Sequence, residues 1–165
     1  MRYKILFVLL LGQVGCQNAS SEQEAWARLE QESIDKHHIQ GEASLKLADK
    51  YLKFSQEFPS SPNAPKALLK SAQLYDANRL TATAIEQYRE VVRRFPQSPE
   101  AAQASFLVGF AYSNMLGDTL NARKAFEQFL TQYPESELVP SARLELSLIG
   151  KSLDEMFKPD SPAKQ

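Results

Sequence analysis

The chemically versatile side chains of this chain are one thiol, Cys16, and two histidines, His37 and His38. A lone cysteine cannot close an internal disulfide, so Cys16 is either a site of modification or a bystander. The histidines are adjacent, about 100° apart on a helix, and cannot turn to one metal ion together. No second cysteine or paired carboxylate completes a ligand set around them. The sequence has no glycine-rich phosphate loop and no serine placed with histidine and aspartate in a hydrolase pattern. Glu86, Glu90 and Glu127 have arginine or lysine nearby and read as solvated ion pairs on helix faces. These residues predict a protein that is not an enzyme and uses neither metal nor cofactor.

The charge balance narrows the partners. Nineteen basic and 20 acidic residues leave a formal charge of −1. Nucleic-acid binding would need Lys and Arg clustered on one face, and no such footprint is visible. The single adjacent arginine pair, Arg93-Arg94, suits a helix C-terminus, where cations favour the dipole.

Cys16 is placed by what precedes it. Arg2 and Lys4 form a short positive region, residues 5–11 are an unbroken apolar run, and residues 12–15 lead into the cysteine. The run is short of the roughly 20 apolar residues that cross a bilayer and suits a secretory leader. The segment resembles a bacterial lipoprotein signal, with Val14-Gly15-Cys16 at its cleavage site. Gln13 departs from the aliphatic residue usual in that motif. The resemblance implies a signal peptide over 1–15, a lipidated Cys16, and a tether over 16–21. Gln17, rather than aspartate, after the cysteine implies sorting to the outer membrane.

Three turns punctuate the rest. Phe58-Pro59-Ser60-Ser61, Phe95-Pro96-Gln97-Ser98 and Tyr133-Pro134-Glu135-Ser136 put their prolines 37 and 38 residues apart. Periods in this range mark stacked helical repeats, each burying its apolar face against its neighbours. Alanine, leucine, glutamate and glutamine fill the intervals, which favours helix. Helices are expected over about 22–39, 42–58, 62–77, 81–95, 99–116, 120–133 and 137–157, followed by a polar tail over 158–165. Ser21 with Glu24 reads as a capping box, and Trp26, Leu29 and Ile34 as the buried side of the first helix. Leu45, Ala48, Tyr51, Leu52 and Phe58 read as the buried side of the second. Ser61-Pro62 and Ser98-Pro99 read as N-cap and first helical residue, and Gly117-Asp118 as a glycine cap and turn.

The register of small and aromatic residues resembles the tetratricopeptide repeat (TPR). One unit supplies Ala72, Tyr75, Ala84, Tyr88 and Pro96; the next supplies Gly109, Tyr112, Ala122, Phe126 and Pro134, with one extra residue in the Gly117-Asp118 turn. Small residues permit close helix approach, and the aromatics fill the space between hairpins. An earlier unit matches only at Tyr51 and Pro59, because Asp35 stands where a small residue belongs. Ser147 and Gly150 mark the last helix as a solvating cap. The resemblance covers roughly 42–153, within a repeat domain over 22–157. Its period exceeds the usual one of about 34 residues. That longer variant is similar to BamD-like outer membrane assembly lipoproteins and to the TPR domain of the Tol-Pal-associated division coordinator.

The implied fold is an all-α solenoid of about seven helices. The implied function is a periplasm-facing scaffold, held by lipid at the outer membrane, that binds envelope proteins or peptides. A division or peptidoglycan coordinator, a carrier of small hydrophobic ligands and an accessory subunit of an envelope hydrolase are the alternatives. By resemblance the first helices of successive units line a groove. Its candidates are Leu69, Gln73 and Asp76, then Phe106, Phe110 and Asn114, then Leu144, Leu148 and Lys151. Phe106 and Phe110 lie off the packing face formed by Val108, Gly109 and Tyr112, so the helix carrying them is apolar nearly all round.

Overall fold

A computed structural model of the protein describes residues 20–34 and 41–151. Cys16, Asp35, the two histidines, the leader and the tail lie outside the described residues. The described residues form α-helices and no strand. They are α1 (20–34), α2 (Glu42–Glu57), α3 (Ala64–Ala77), α4 (Thr81–Arg94), α5 (Pro99–Phe110), α6 (Thr119–Gln132) and α7 (Val139–Leu148). A π-helical turn, Ala111–Met115, extends α5. The chain divides into two compact units, residues 1–87 and 88–165, with the boundary inside α4.

In the first unit, α2 and α3 pack side by side because their facing residues are small. Ser44, Ala48 and Ser55 are buried on α2, and Ala64, Ala67, Ser71 and Ala72 on α3. Leu29, Leu47, Tyr51, Phe54 and Ala67 form the core, with Trp26, Phe58 and Leu74 packed against it. Leu47 and Phe54 were not among the expected core residues of α2; Leu45 and Leu52 are only half-buried. Helix α1 docks by Trp26, whose ring lies 5.3 Å from that of Phe54 and 6.2 Å from that of Tyr51. Ile34 does not join the core and is 70% exposed. Nor does Ser21 cap α1, which is already helical at residue 20; Glu24 accepts instead from Arg28 at 3.4 Å.

Asn78 fastens the antiparallel α2–α3 pair at one end. Its Oδ1 accepts from the Gly41 N–H at 2.8 Å, and its Nδ2 donates to Ser44 Oγ at 2.9 Å and Leu74 O at 2.7 Å. On the same pair, the Tyr75 hydroxyl donates to the Asp49 carboxylate. Burial, then that hydrogen bond, pushes the Tyr75 phenol up to about 12. A raised phenol pKa favours the fold fully below its ordinary value of 10.0, and the contribution is lost as pH rises from there toward 12. An ultraviolet difference titration should therefore show Tyr75 ionising late, and Asp49→Asn should bring it back toward 10.0.

The caps correct three expected boundaries. Ser98 is the N-cap of α5, with Pro99 next and its Oγ accepting from Ala101 N at 3.2 Å. Helix α3, by contrast, begins after Asn63 and α7 after Leu138. There Ser61 and Ser136 instead close a preceding turn, accepting from Asn63 N at 3.1 Å and Leu138 N at 3.3 Å. Pro65 and Pro140, not Pro62, occupy the first turns of those helices. Helix α7 ends at Leu148, well before 157, because Gly150 at φ 85 takes the left-handed conformation that stops a helix.

The ends of α3 and α5 show why one repeat is a residue longer. After α3, Leu80 N donates to Tyr75 O at 3.0 Å and Arg79 N to Asp76 O at 2.8 Å, a Schellman closure. Its left-handed residue is Arg79, at φ 63. At the equivalent point beyond α5 stands Gly117, at φ 64. The extra residue lies in the π turn before Gly117, where Leu116 N reaches back to Ala111 O at 3.2 Å, and not in the Gly117-Asp118 turn. Asp118 is then the N-cap of α6, accepting from Asn121 N at 3.0 Å. The backbone N–H and then the side-chain amide of Asn121 donate to its carboxylate and hold it below the ordinary carboxylate value. Arg79→Gly should stabilise the protein by about 0.5–1 kcal/mol by relieving the left-handed strain, read as a higher urea midpoint with unchanged slope.

Candidate functional site

In the second unit, Ala122, Phe126, Phe129 and Ala142 are fully buried and organise the packing of α5, α6 and α7. Gly109 makes this possible: a Cβ placed there would lie 2.7 Å from Phe126 Cδ1 and Cε1. Phe106 leans on the same cluster, 5.5 Å from the Phe126 ring and 5.9 Å from the Phe129 ring. Phe110 stacks on Phe106 at 6.4 Å. Both are half-buried, so each gives part of its ring to the core and part to the surface.

The other predicted groove residues fare differently. Leu69 is only 5% exposed and belongs to the packing of unit 1 rather than to a surface; Gln73 and Asp76 beside it are half-buried. Asn114 falls in the π turn, which shifts it out of step with Phe106 and Phe110, and its Nδ2 donates to Phe110 O at 3.3 Å. On α7, Leu144 is 59% exposed and Leu148 half-buried, while Leu146 and Ile149 carry the packing. Lys151 lies beyond the end of α7 and does not continue its face. Leu69, Gln73 and Asp76 belong to the first unit and the remaining six to the second.

Of the nine, Phe106 alone lines an apolar cleft of unit 2 that encloses about 770 Å³. Pro99, Ala102, Gln103 and Leu107 of α5 form one wall with it, and the turn from Tyr133 to Leu138 forms the other. The aromatic-Pro-x-Ser turn is thus part of the cleft as well as a connector. Tyr133 donates its hydroxyl to Pro96 O at 3.3 Å, tying two successive turns together. Burial raises its phenol pKa. Leu107, Tyr133 and Leu138 were missed as site residues. The signal for Tyr133 was its place in the repeated turn, read only as punctuation.

An apolar cleft walled by a helix and a proline turn offers contact area and two rim carboxylates, Glu135 and Glu137. Among the described residues no group of three or more His, Cys, Asp or Glu converges as a metal site. No helix among them is long and apolar enough to cross a membrane.

The repeat geometry agrees with a match in sequence. The family YfiO, described as outer membrane lipoprotein, matches residues 35–155. The chain belongs to this family. No curated protein matches it in sequence. As a YfiO-family outer membrane lipoprotein, it carries the family match from α2 through α7, with α1 ahead of the matched segment. Membership places it at the outer membrane and gives the TPR-like register its context. Gly109, Ala122, Phe126, Ala72, Ala84 and Tyr88 are all buried, as that register requires.

Proposed function

We propose that the protein is a non-catalytic scaffold on the periplasmic side of the outer membrane that holds segments of other envelope proteins during outer membrane protein assembly. The observation that carries this reading is the 770 Å³ apolar cleft of unit 2, half-walled by a turn that the repeat itself supplies. Its size and apolar lining suit an extended or helical peptide. Family membership supports the location. A lipidated Cys16, with residues 16–21 as tether, would concentrate the cleft near nascent membrane proteins.

Leu107 is the position at which to test the cleft, because it lines the cavity without belonging to the Phe126 cluster. Leu107→Lys should leave the melting temperature within about 2 °C while abolishing co-purification of barrel-assembly subunits from detergent-solubilised membranes. Unchanged co-purification would refute the cleft. Tol-Pal components or a bound small molecule in place of assembly subunits would replace the assembly role with one of the alternatives. The anchor has its own test: Cys16→Ser should lose radioactive palmitate, and equal labelling would remove the lipid from the account.

A further inference from the structure

A second depression in unit 2, about 380 Å³, lies on the face of α5 opposite the Phe106 cleft. Its floor is Ser105 and Val108, both buried, with Tyr112 beyond them. Helix α4 gives one wall with Arg89, Val92 and Arg93. Helix α6 gives the other with Lys124, Ala125, Gln128 and Gln132. Three cations line it and no carboxylate does.

The cations are not equivalent. Arg93 is largely engaged, donating to Glu90 through Nε at 2.7 Å and Nη2 at 2.5 Å. Lys124 feels Asp118 at a distance. Arg89 is aimed by the floor: its guanidinium lies over the Tyr112 ring at 5.6 Å and its Nη2 donates to the Tyr112 hydroxyl at 3.0 Å. A guanidinium held this way is already ordered before a ligand arrives, which lowers the entropy cost of pairing.

We propose that this depression binds an acidic peptide segment of a partner protein. Arg89 and Lys124 pair with its carboxylates, and Gln128 and Gln132 exchange hydrogen bonds with its backbone. Val92, Val108 and Ala125 receive a short apolar side chain. A bare oxyanion would use only the cations. It would leave unused an apolar floor, amide acceptors and a volume many times the roughly 30 Å³ share of a water molecule. The two depressions open on opposite faces of α5 and share only Gln132, so this site is separate from the cleft and does not rest on the assembly role.

The test uses the full-length chain in detergent micelles and a fluorescent peptide of glutamate, leucine and alanine, with a lysine-for-glutamate counterpart as control. The acidic peptide should bind more than about tenfold tighter than the basic one and weaken as salt rises. Arg89→Glu with Lys124→Glu should weaken it by about tenfold or more, whereas Leu107→Lys should not change it. Both reversed residues are exposed, and circular dichroism checks the fold. Lys124→Gln gives a milder second reading, a loss of about threefold. Unchanged binding in the charge variants would overturn the proposal. So would displacement of the peptide by equimolar inorganic phosphate, which would make the site a simple oxyanion pocket. Charge-dependent binding of phosphatidylglycerol vesicles without peptide binding would overturn it in favour of a lipid surface.

Discussion

Gly109→Ala should cost the protein about 2–3 kcal/mol despite placing a better helix former in the middle of a helix. Propensity alone predicts a gain of about 1 kcal/mol. The added methyl, however, would sit 2.7 Å from two carbons of the Phe126 ring and 2.9 Å from a third. That ring cannot retreat, because Phe126 is fully buried and Phe106 packs 5.5 Å from it. Either α5 and α6 separate or the ring leaves its rotamer, and both outcomes strain a close-packed interior. The expected result is a urea midpoint lowered at constant slope and a melting temperature down by about 6–10 °C. Phe126→Leu should be destabilising alone yet recover part of the loss when combined with Gly109→Ala, since the two compete for one volume. A Gly109→Ala protein as stable as the parent would mean that α5 and α6 are not locked by this contact. The consequence for function is local: Phe106 rests on Phe126, so displacing that ring also disturbs one wall of the cleft.

Gly109 also shows what could be read from the sequence alone. Its place in the repeat, with Tyr112, Ala122 and Phe126, marked it as one of the small residues that permit close helix approach, and the structure puts a clash there. Helix order and the turns were legible for the same reason, because proline, glycine and serine act through local backbone geometry. Exact helix starts were not. Ser61, Ser98 and Ser136 occupy equivalent places, yet only Ser98 caps a helix, because the other two close a turn onto the residue just before the helix begins. Composition around the serine does not decide between those bonds. The early end of α7 was available in principle at Gly150 but was masked by the apolar residues that follow it. For the candidate site, Phe106 was legible from the all-round apolarity of its helix. Leu107 and the Tyr133–Leu138 wall were not, since a cleft is made by where two segments stop short of each other. That spacing depends on tertiary packing.

Trp26→Ala should release α1 and cost unit 1 about 3 kcal/mol. Trp26 is the only tryptophan of the chain, and it carries most of the apolar attachment of α1 together with Leu29. Two ammonium groups, Lys66 and Lys70, lie 5.3 and 5.7 Å from its ring. Each such contact is worth about 0.5–1 kcal/mol at a partly exposed site. The polar contacts of α1 cannot replace the indole. Glu32 with Lys50 at 2.7 Å is a partly solvated pair of small individual weight, and Ser61 donating to Glu22 at 2.5 Å is a single part-buried hydrogen bond. Glu30 is the better placed, 2.6 Å from Lys70. Burial works against the charges of both. The hydrogen bond and attraction to Lys70 nevertheless hold the Glu30 carboxyl below its ordinary 4.5, and Glu30 and Tyr51 hold Lys70 above its ordinary 10.5. The contribution of Glu30 is therefore present above pH 4.5 and lost as pH falls through its lowered value. That of Lys70 is present below 10.5 and lost as pH rises through its raised one. Hydrogen exchange of the α1 amides reads the docking directly. In the parent they should be protected, and in Trp26→Ala they should exchange freely while α2 and α3 retain most of their protection. Trp26→Phe, which keeps an aromatic ring but offers the lysines a weaker face, should fall between the two. If α1 stays protected in Trp26→Ala, the carboxylate–lysine pairs hold it, and Lys70→Met should then release it.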